Sequence, residues 1–160
     1  MGFPKTSAKK QWARQRKFKK LSFNIDTGRP YWPPFLFELM ITHVKFLGIC
    51  VSDQDRALRF YTEKLGFRVK TDQPLGHQRW IELEIPGAQT GVVLFTPQGQ
   101  EDRIGSFVNT SLGCANLDVT YEQLKARGVK FSSPPTEQPW GKFAIFEDPD
   151  GNSFVLASAE

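Results

Sequence analysis

The fold of this 160-residue chain is decided by its last hairpin, which reads Phe146-Glu147-Asp148-Pro149-Asp150-Gly151-Asn152-Ser153-Phe154-Val155-Leu156. Apolar runs on either side, 142–146 and 153–157, predict two strands. Between them Pro149 fixes φ, and Gly151-Asn152 tolerate positive φ. The stretch therefore predicts a tight turn between antiparallel strands. Hairpins are common, and this one matters because it closes a unit that occurs twice.

The first unit, residues 44–95, predicts the order strand, helix, strand, strand, strand. Val44 to Val51 is apolar and β-branched, as in a strand covered on both faces. Ser52-Asp53-Gln54-Asp55 then supplies a helix N-cap, and Gly66 ends that helix. The later strands are expected at 67–70, 79–85 and 91–95, with a loop at 72–77.

The same order repeats after a polar linker at 98–105. A strand is expected within 107–117, followed by a helix that Asp118 caps and Gly128 ends. The remaining strands are expected at 129–131, 140–146 and 153–157, with a proline-rich loop at 132–138. We match four landmarks between the units: Asp53 with Asp118, Gly66 with Gly128, Trp80 with Trp140, and Leu94 with Val155. A duplicated βαβββ module predicts an α+β domain.

These motifs resemble the vicinal oxygen chelate superfamily, which includes glyoxalase I, bleomycin-resistance proteins and extradiol dioxygenases. The resemblance spans about 44–158 and rests on four features: the capped helix Ser52–Tyr61, Leu65-Gly66-Phe67, Trp140 and the Asp148–Asn152 turn. It implies two βαβββ modules, at about 43–97 and 106–158, that pair into a curled mixed sheet around a cavity. It also implies a homodimer.

The resemblance further implies where a divalent metal would bind. Superfamily enzymes usually hold it with His, Glu or Gln from the first and last strands of each module. The corresponding residues here are Phe46, Leu94, Leu112 and Val155, and a one-residue shift at Leu94 would offer only Val93 or Phe95. Hydrocarbon side chains cannot donate a lone pair to a metal. We therefore expect no metal cofactor.

An apolar cavity with few polar groups is typical of sites for small organic molecules. Our first hypothesis is a bleomycin-resistance-like protein that binds a small, partly aromatic molecule without a metal. Trp80 and Trp140 could instead belong to the core. The residues expected to contact the ligand are Phe46, Cys50, Trp80, Leu94, Leu112, Cys114, Asn116, Trp140 and Val155.

The alternative is a divergent glyoxalase-like lyase or isomerase, with a metal at unexpected positions or with Glu82, Glu84 or His77 as catalyst. Glu82 and Glu84 alternate on one face of a predicted strand beside Trp80, and His77 lies in a loop. A cavity-facing carboxylate or imidazole could serve as an acid or base. Solvated carboxylates and exposed histidines are commoner, so catalysis remains open.

Residues 1–39 differ in composition from the rest. They carry nine Lys/Arg against two Asp/Glu, a charge of +7, whereas residues 40–160 carry −3. Such a proline-containing basic segment buries too little apolar surface to offset its ordering entropy. We expect a disordered arm or a dispensable extension before a domain at 40–160. Nucleic-acid contact or myristoylation at Gly2 are weaker alternatives.

Cys50 and Cys114 lie in strand-like runs without metal-binding spacing. They are expected to be reduced thiols of an intracellular protein. No apolar run predicts a membrane span or a secretion signal, so we expect a cytoplasmic location. A small-molecule ligand and a second copy of the chain are the expected partners, and nucleic acid is not.

Overall fold

The computed structural model describes residues 41–107 and 110–158. The fold belongs to a compact unit of residues 43–160. The predicted N-terminal arm, residues 1–39, lies outside the described residues, so its disorder and the boundary at Met40 stay predictions. No helix in the described ranges is long and apolar enough to cross a membrane.

The first module has the predicted βαβββ order. A helix, α1 (Gln54–Arg59), follows the first strand and continues as a π-helical turn, Phe60–Lys64. Asp53 is the N-cap, because its carboxylate accepts hydrogen bonds from the backbone N–H groups of Asp55 and Arg56. The strands are β1 (Phe46–Cys50), β2 (Arg68–Leu75), β3 (Gln78–Glu84) and β4 (Gly91–Phe95).

The π-helical turn positions two aromatic side chains. The N–H of Leu65 donates to the carbonyl of Phe60, five residues back, which widens the helix by one residue. This widening lets the adjacent Phe60 and Tyr61 both point inwards, and Tyr61 is fully buried. Gly66, with φ of 79°, then ends the helix in the left-handed region, as its position predicted.

The second module repeats the order after a 3-10 turn at Glu101–Arg103. Its helix α2 (Leu117–Ala126) is capped by Asn116, which accepts a hydrogen bond from the N–H of Val119. The expectation that Asp118 caps this helix is wrong, because Asp118 lies inside its first turn. The strands are β5 (Thr110–Cys114), β6 (Lys130–Gln138), β7 (Gly141–Glu147) and β8 (Ser153–Ser158).

Both predicted loops continue as strand. β2 extends to Leu75 and β6 to Gln138, where we expected loops at 72–77 and 132–138. Each is the last strand of its sheet and contains proline, Pro74 in β2 and Pro134-Pro135 in β6. Edge strands tolerate proline because one side needs no ladder hydrogen bonds, and the register shifts in β6 absorb the rest.

Each module forms its own four-stranded mixed sheet. The strand orders are β1-β4-β3-β2 and β5-β8-β7-β6, and only the first pair in each is parallel. The expected α+β class with two βαβββ modules is confirmed, although the two sheets are not closed into one. Gly48 pairs with Val93 in the first sheet, and Ser111 pairs with Val155 in the second.

One core cluster includes buried residues from both modules. Tyr61 lies 5.8 Å from Phe67 of its own module and 6.3 Å from Phe154 of the other, measured between ring centroids. Alternate residues of each sheet enter this cluster, so the opposite face of each sheet points away from it. The sheet residues in the core include Ile49, Ile81, Leu83, Val92, Leu94, Ala144, Phe146, Phe154 and Leu156.

Candidate functional site

The first sheet presents an aromatic surface opposite the core. Strand alternation places on it the residues that flank the core positions of β1, β3 and β4. We call this surface the module-1 face; its residues are Phe46, Gly48, Cys50, Trp80, Glu82, Glu84, Val93 and Phe95. Val93 and Cys50 are buried there, and Phe46, Trp80 and Phe95 are half-buried.

Three aromatic rings cover the middle of this face. The ring of Phe46 meets that of Trp80 edge-on, at 5.6 Å between centroids and an angle of 80°. The ring of Phe95 lies over Gly48, where a Cβ would come within 3.0 Å of Phe95 Cε1. Gly48 thus provides the space that Phe95 occupies. The result is a surface suited to stacking or edge contact with another aromatic ring.

Glu82 is the one carboxylate that is nearly buried on the module-1 face. Its side chain is 9% exposed, and Oε1 accepts a hydrogen bond of 2.7 Å from Lys70 Nζ. Lys70 lies at a register shift in β2, which brings its ammonium to this face. The hydrogen bond from Lys70 lowers the pKa of Glu82 most, and the nearby charges and Trp80 lower it further. Glu82 is therefore ionised at neutral pH.

The other two catalytic candidates, Glu84 and His77, are exposed. Glu84 is exposed at the end of β3, with Oε1 at 3.9 Å from Arg68 Nη1. His77 is exposed in the β2–β3 turn, beside an open cleft of about 400 Å³ next to Asp53 and Asp55. Glu82 is four residues from Gln78 along β3, roughly 13 Å. The structure thus does not bring His77 and Glu82 into one acid–base pair.

Strand pairing shifts the positions that would hold a metal. Phe46 lies seven residues before the N-cap Asp53, and Val93 instead of Leu94 is the fourth-strand residue on the same face as Phe46. In the second module the N-cap is Asn116, so the equivalent of Phe46 is residue 109 instead of Leu112. Asn109 lies outside the described residues. The remaining three positions, Phe46, Val93 and Val155, are hydrocarbon.

The donor set does not fit a divalent metal. Even if an asparagine oxygen at 109 were available, three of the four positions could supply no N, O or S ligand. Within residues 41–107 and 110–158, no group of three or more His, Cys, Asp or Glu side chains could hold a metal ion. The residues at these positions therefore cannot coordinate the ion that a metal-dependent reaction would need.

Several expected ligand contacts do not lie on an open face. Leu94 is fully buried in the core cluster, and Leu112 and Cys114 pack against that cluster. Asn116 is an exposed N-cap, and Trp140 is 76% exposed beside β7. Of the nine expected contacts, Phe46, Cys50 and Trp80 lie on the module-1 face, and Val155 lies on the second sheet.

The surroundings of Cys50 disfavour its thiolate form. Burial raises the pKa of its thiol, and the thiolate is the reactive form. Cys50 and Cys114 are both free thiols. They are the last residues of β1 and β5, the first strands of the two modules.

The second sheet presents a different surface. Its residues opposite the core, which we call the module-2 face, are half-buried or exposed: Ser111, Gly113, Phe143, Ile145, Val155 and Ala157. The register makes Val155 the equivalent of Val93 and Ile145 the equivalent of Glu82. Phe143, and not Trp140, is the equivalent of Trp80. Module 2 therefore has Ile145 where module 1 has Glu82, and an ion pair on its strand β7 is Lys130–Glu147, with Nζ at 2.6 Å from Oε2.

The Asp148–Asn152 turn joins the two modules through buried hydrogen bonds. Asn152 Nδ2 donates to the carbonyl of Cys50 at 3.0 Å, and the hydroxyl of Tyr61 donates to Asp148 Oδ2 at 2.8 Å. Asn152 Oδ1 accepts from the N–H of Phe107 at 3.2 Å. Sequence reasoning treated these residues as a turn and missed this contact, because its partners lie about 100 positions away.

Asp150 extends the same contact. Its Oδ1 accepts hydrogen bonds from Ser52 Oγ and Arg56 Nη2, each at 2.6 Å, while its side chain is 3% exposed. Ser52 therefore binds the other module, and Asp53 alone caps α1. This turn is therefore a structural junction between the modules.

The family model described as the glyoxalase/bleomycin resistance protein/dioxygenase superfamily matches residues 41–156. The chain belongs to this superfamily. The match includes both modules and ends inside β8, in agreement with the duplicated fold.

The alignments with three similar proteins cover nearly the whole length of each of those proteins. YetH of Bacillus subtilis (strain 168) is 36% identical over 121 residues, which are 73% of this chain and 98% of YetH. TnmS3, an antibiotic binding protein from Streptomyces sp. CB03234, is 37% identical with a TM-score of 0.69, covering 75% of this chain and 98% of TnmS3. A superfamily member from Sphaerobacter thermophilus DSM 20745 is 41% identical with a TM-score of 0.70, covering 76% of this chain and 100% of that one.

Proposed function

We propose that this protein binds a small, partly aromatic organic molecule on the module-1 face without using a metal. The observation that carries the proposal is the pair of rings formed by Phe46 and Trp80, with Phe46 at the position of a usual metal ligand. An aromatic side chain there replaces ion coordination with a surface for ring contact. The similarity to TnmS3, an antibiotic binding protein, supports a binding role.

The lyase alternative has weaker support. A general base works best when its pKa lies near the working pH. Hydrogen bonding from Lys70 lowers the pKa of Glu82 instead, which makes Glu82 a weaker base. Glu84 is exposed and His77 is distant, so neither compensates for this.

The proposed assembly is a homodimer that acts in the cytoplasm. In one chain the module-1 face is a sheet surface, whereas ligand sites usually enclose most of their ligand. A second copy could cover it with the half-buried apolar side chains of its module-2 face. Light scattering that gives the mass of one chain at micromolar concentration would contradict the dimer.

The first test is metal content. Protein purified without chelator is analysed by mass spectrometry and then titrated with Ni, Zn, Mn and Fe(II) while Tm is followed. We expect no stoichiometric metal and no rise in Tm. A tightly bound stoichiometric metal would mean that the ligand positions are mapped wrongly, and the lyase function would then become the better proposal.

The second test locates ligand binding. Aromatic and drug-like compounds are screened by calorimetry against the wild type, Trp80→Ala and Trp140→Ala. Truncating an aromatic anchor typically costs about 2 kcal/mol of binding free energy, so Trp80→Ala should weaken binding by at least about tenfold. Trp140→Ala is the matched control and should bind as the wild type does. Equal losses in both variants would move the site away from the module-1 face.

A further inference from the structure

The Lys70–Glu82 pair places a nearly buried carboxylate on a sheet face whose centre is aromatic. Glu82 shares the module-1 face with Trp80 and is the cross-strand partner of Val93. Its side chain is 9% exposed, whereas the side chain of Lys70 is 52% exposed. The carboxylate is thus held inside the face, and the ammonium lies at its rim.

Lys70 retains donors for a ligand. Its ammonium has three N–H groups, and the structure describes one acceptor for them, Glu82 Oε1 at 2.7 Å. Because the side chain is half exposed, the other N–H groups can reach a bound molecule. A hydrogen bond from a charged donor is stronger than one between neutral groups.

The other charged side chains around the module-1 face also favour a ligand with a negative or acceptor group. Lys45 Nζ lies 5.9 Å from the centroid of the Phe46 ring, so a second ammonium borders the aromatic surface. Arg68 faces Glu84 at 3.9 Å, but both side chains are largely exposed, at 71% and 49%. The cations at this face are thus Lys45, Arg68 and Lys70, and the carboxylates are Glu82 and Glu84. In the Lys70–Glu82 pair the cation is the more exposed partner.

This inference rests on the proposed function. We propose that Lys70 determines the specificity of the module-1 face by selecting aromatic ligands that carry an acceptor oxygen, as a carboxylate or phenolate does. The rings of Phe46, Trp80 and Phe95 contact the aromatic part of the ligand. The Lys70 ammonium donates to its oxygen and repels a ligand that carries a cation at that position, while Glu82 holds the ammonium in place.

The test uses three probes with one ring system and different charge: 2-naphthoate, 2-naphthalenemethanol and 2-naphthylmethylammonium. Affinities are measured by calorimetry at pH 7 and low salt on the full chain. The wild type should bind naphthoate on the order of tenfold more tightly than the alcohol, since one charge-assisted hydrogen bond separates the two. The ammonium probe should bind most weakly.

Two variants separate the charges. Lys70→Met leaves the Glu82 carboxylate uncompensated, so it should reverse the order and favour the ammonium probe. The double variant K70M/E82I replaces the pair with apolar side chains, which often preserves stability, and should remove charge discrimination. Lys142→Met is the control, because the Lys142 ammonium pairs with Asp118 of α2 in the other module, and this variant should keep the preference for naphthoate.

The outcomes distinguish the two proposals. Equal affinities for the three probes in the wild type, or an unchanged preference for naphthoate in both K70M and K70M/E82I, would overturn the role of Lys70 and leave the binding function standing. No binding of any naphthyl probe would overturn both. If K70M does not fold, the double variant alone decides, because it leaves no buried charge.

Discussion

The two modules share one strand order but differ in what their sheets and last hairpins do. Module 1 carries the aromatic module-1 face with the ion pair Lys70–Glu82. In module 2 the equivalent of Glu82 is Ile145, and its last turn instead sends Asn152 into module 1. The corresponding turn of module 1, around Gly87, is exposed and ends in the exposed Gln89.

This difference indicates that the two modules have different roles. The backbone order constrains both copies because each sheet must cover the shared core. Residues opposite the core are not held by that requirement, so they can diverge. Module 2 supplies the junction that fixes the modules together, and module 1 supplies the surface that we propose for binding.

The largest effect is expected from a substitution that removes hydrogen bonds of the junction between the modules. Asn152→Ala removes two donated hydrogen bonds and one accepted hydrogen bond in a fully buried position, and leaves the carbonyl of Cys50 and the N–H of Phe107 without that partner. Unsatisfied buried groups cost about 1–3 kcal/mol each, so we expect a loss of roughly 3 kcal/mol in the free energy of unfolding. Urea denaturation measures it.

The matched control for that change lies in the other module. Gln89→Ala alters the exposed turn of module 1 and should change the free energy of unfolding by less than about 0.5 kcal/mol. Equal effects of the two substitutions would mean that the turns do not differ in role.

A smaller effect removes one hydrogen bond of the same junction. Tyr61→Phe deletes the hydroxyl that donates to Asp148 Oδ2 and should cost about 1–3 kcal/mol, since a buried carboxylate loses its donor. Tyr121→Phe, at a half-buried tyrosine of α2, is the control and should have little effect. Thermal unfolding at neutral pH gives both values.

Tyr61 also predicts sensitivity to alkali. Burial raises the pKa of Tyr61 well above its usual value, and the charge of Asp148 adds to this. A raised folded-state pKa means that the stabilisation is complete below the unfolded-state pKa of about 10 and is lost as the pH rises towards the folded-state pKa. The wild type should thus lose more stability above pH 10 than Tyr61→Phe does. Parallel losses would show that Tyr61 does not ionise on unfolding.

The substitution with the smallest expected effect on stability gives module 1 apolar side chains like that of Ile145 in module 2. K70M/E82I should change the free energy of unfolding by no more than about 1 kcal/mol at neutral pH, because apolar replacements of buried ion pairs are often neutral. The pKa of Glu82 is lowered by Lys70, so its stabilisation is present above the unfolded-state pKa and is lost as the pH falls through the folded-state pKa. The double variant should therefore lose less stability than the wild type in acid. A large loss at neutral pH would make the pair structural.

The order of elements could be predicted from the sequence because capping residues, glycines and apolar runs are local signals. Gly66 and Gly128 both have positive φ, at 79° and 77°, and each lies just after the helix that it was expected to end. β4 has the predicted bounds, Gly91–Phe95. The two loops that proved to be strand were misjudged because proline is a strong breaker everywhere except at a sheet edge.

The faces of the strands could not be predicted as well. β1 and β4 are apolar on both sides, so the alternation that normally separates the core face from the open face gives no signal. An error of one residue in assigning a strand exchanges its two faces. We expected Leu94 on the ligand face, but Leu94 belongs to the core cluster and Val93 lies on the opposite face. In module 2 the N-cap is Asn116 and not Asp118, and counting back seven residues from it gives residue 109, three positions before the expected Leu112.

The sequence by itself determined the duplicated βαβββ order, the superfamily and the hydrocarbon character at Phe46 and Val155, because these depend on residue type and on short-range spacing. Tertiary structure alone decided that Asn152 and Asp150 join the modules and that Lys70 meets Glu82 beside Trp80. Those contacts link positions that lie on separate strands or about 100 residues apart. Hydrogen bonding at such separations is fixed by register and packing, which no local pattern encodes.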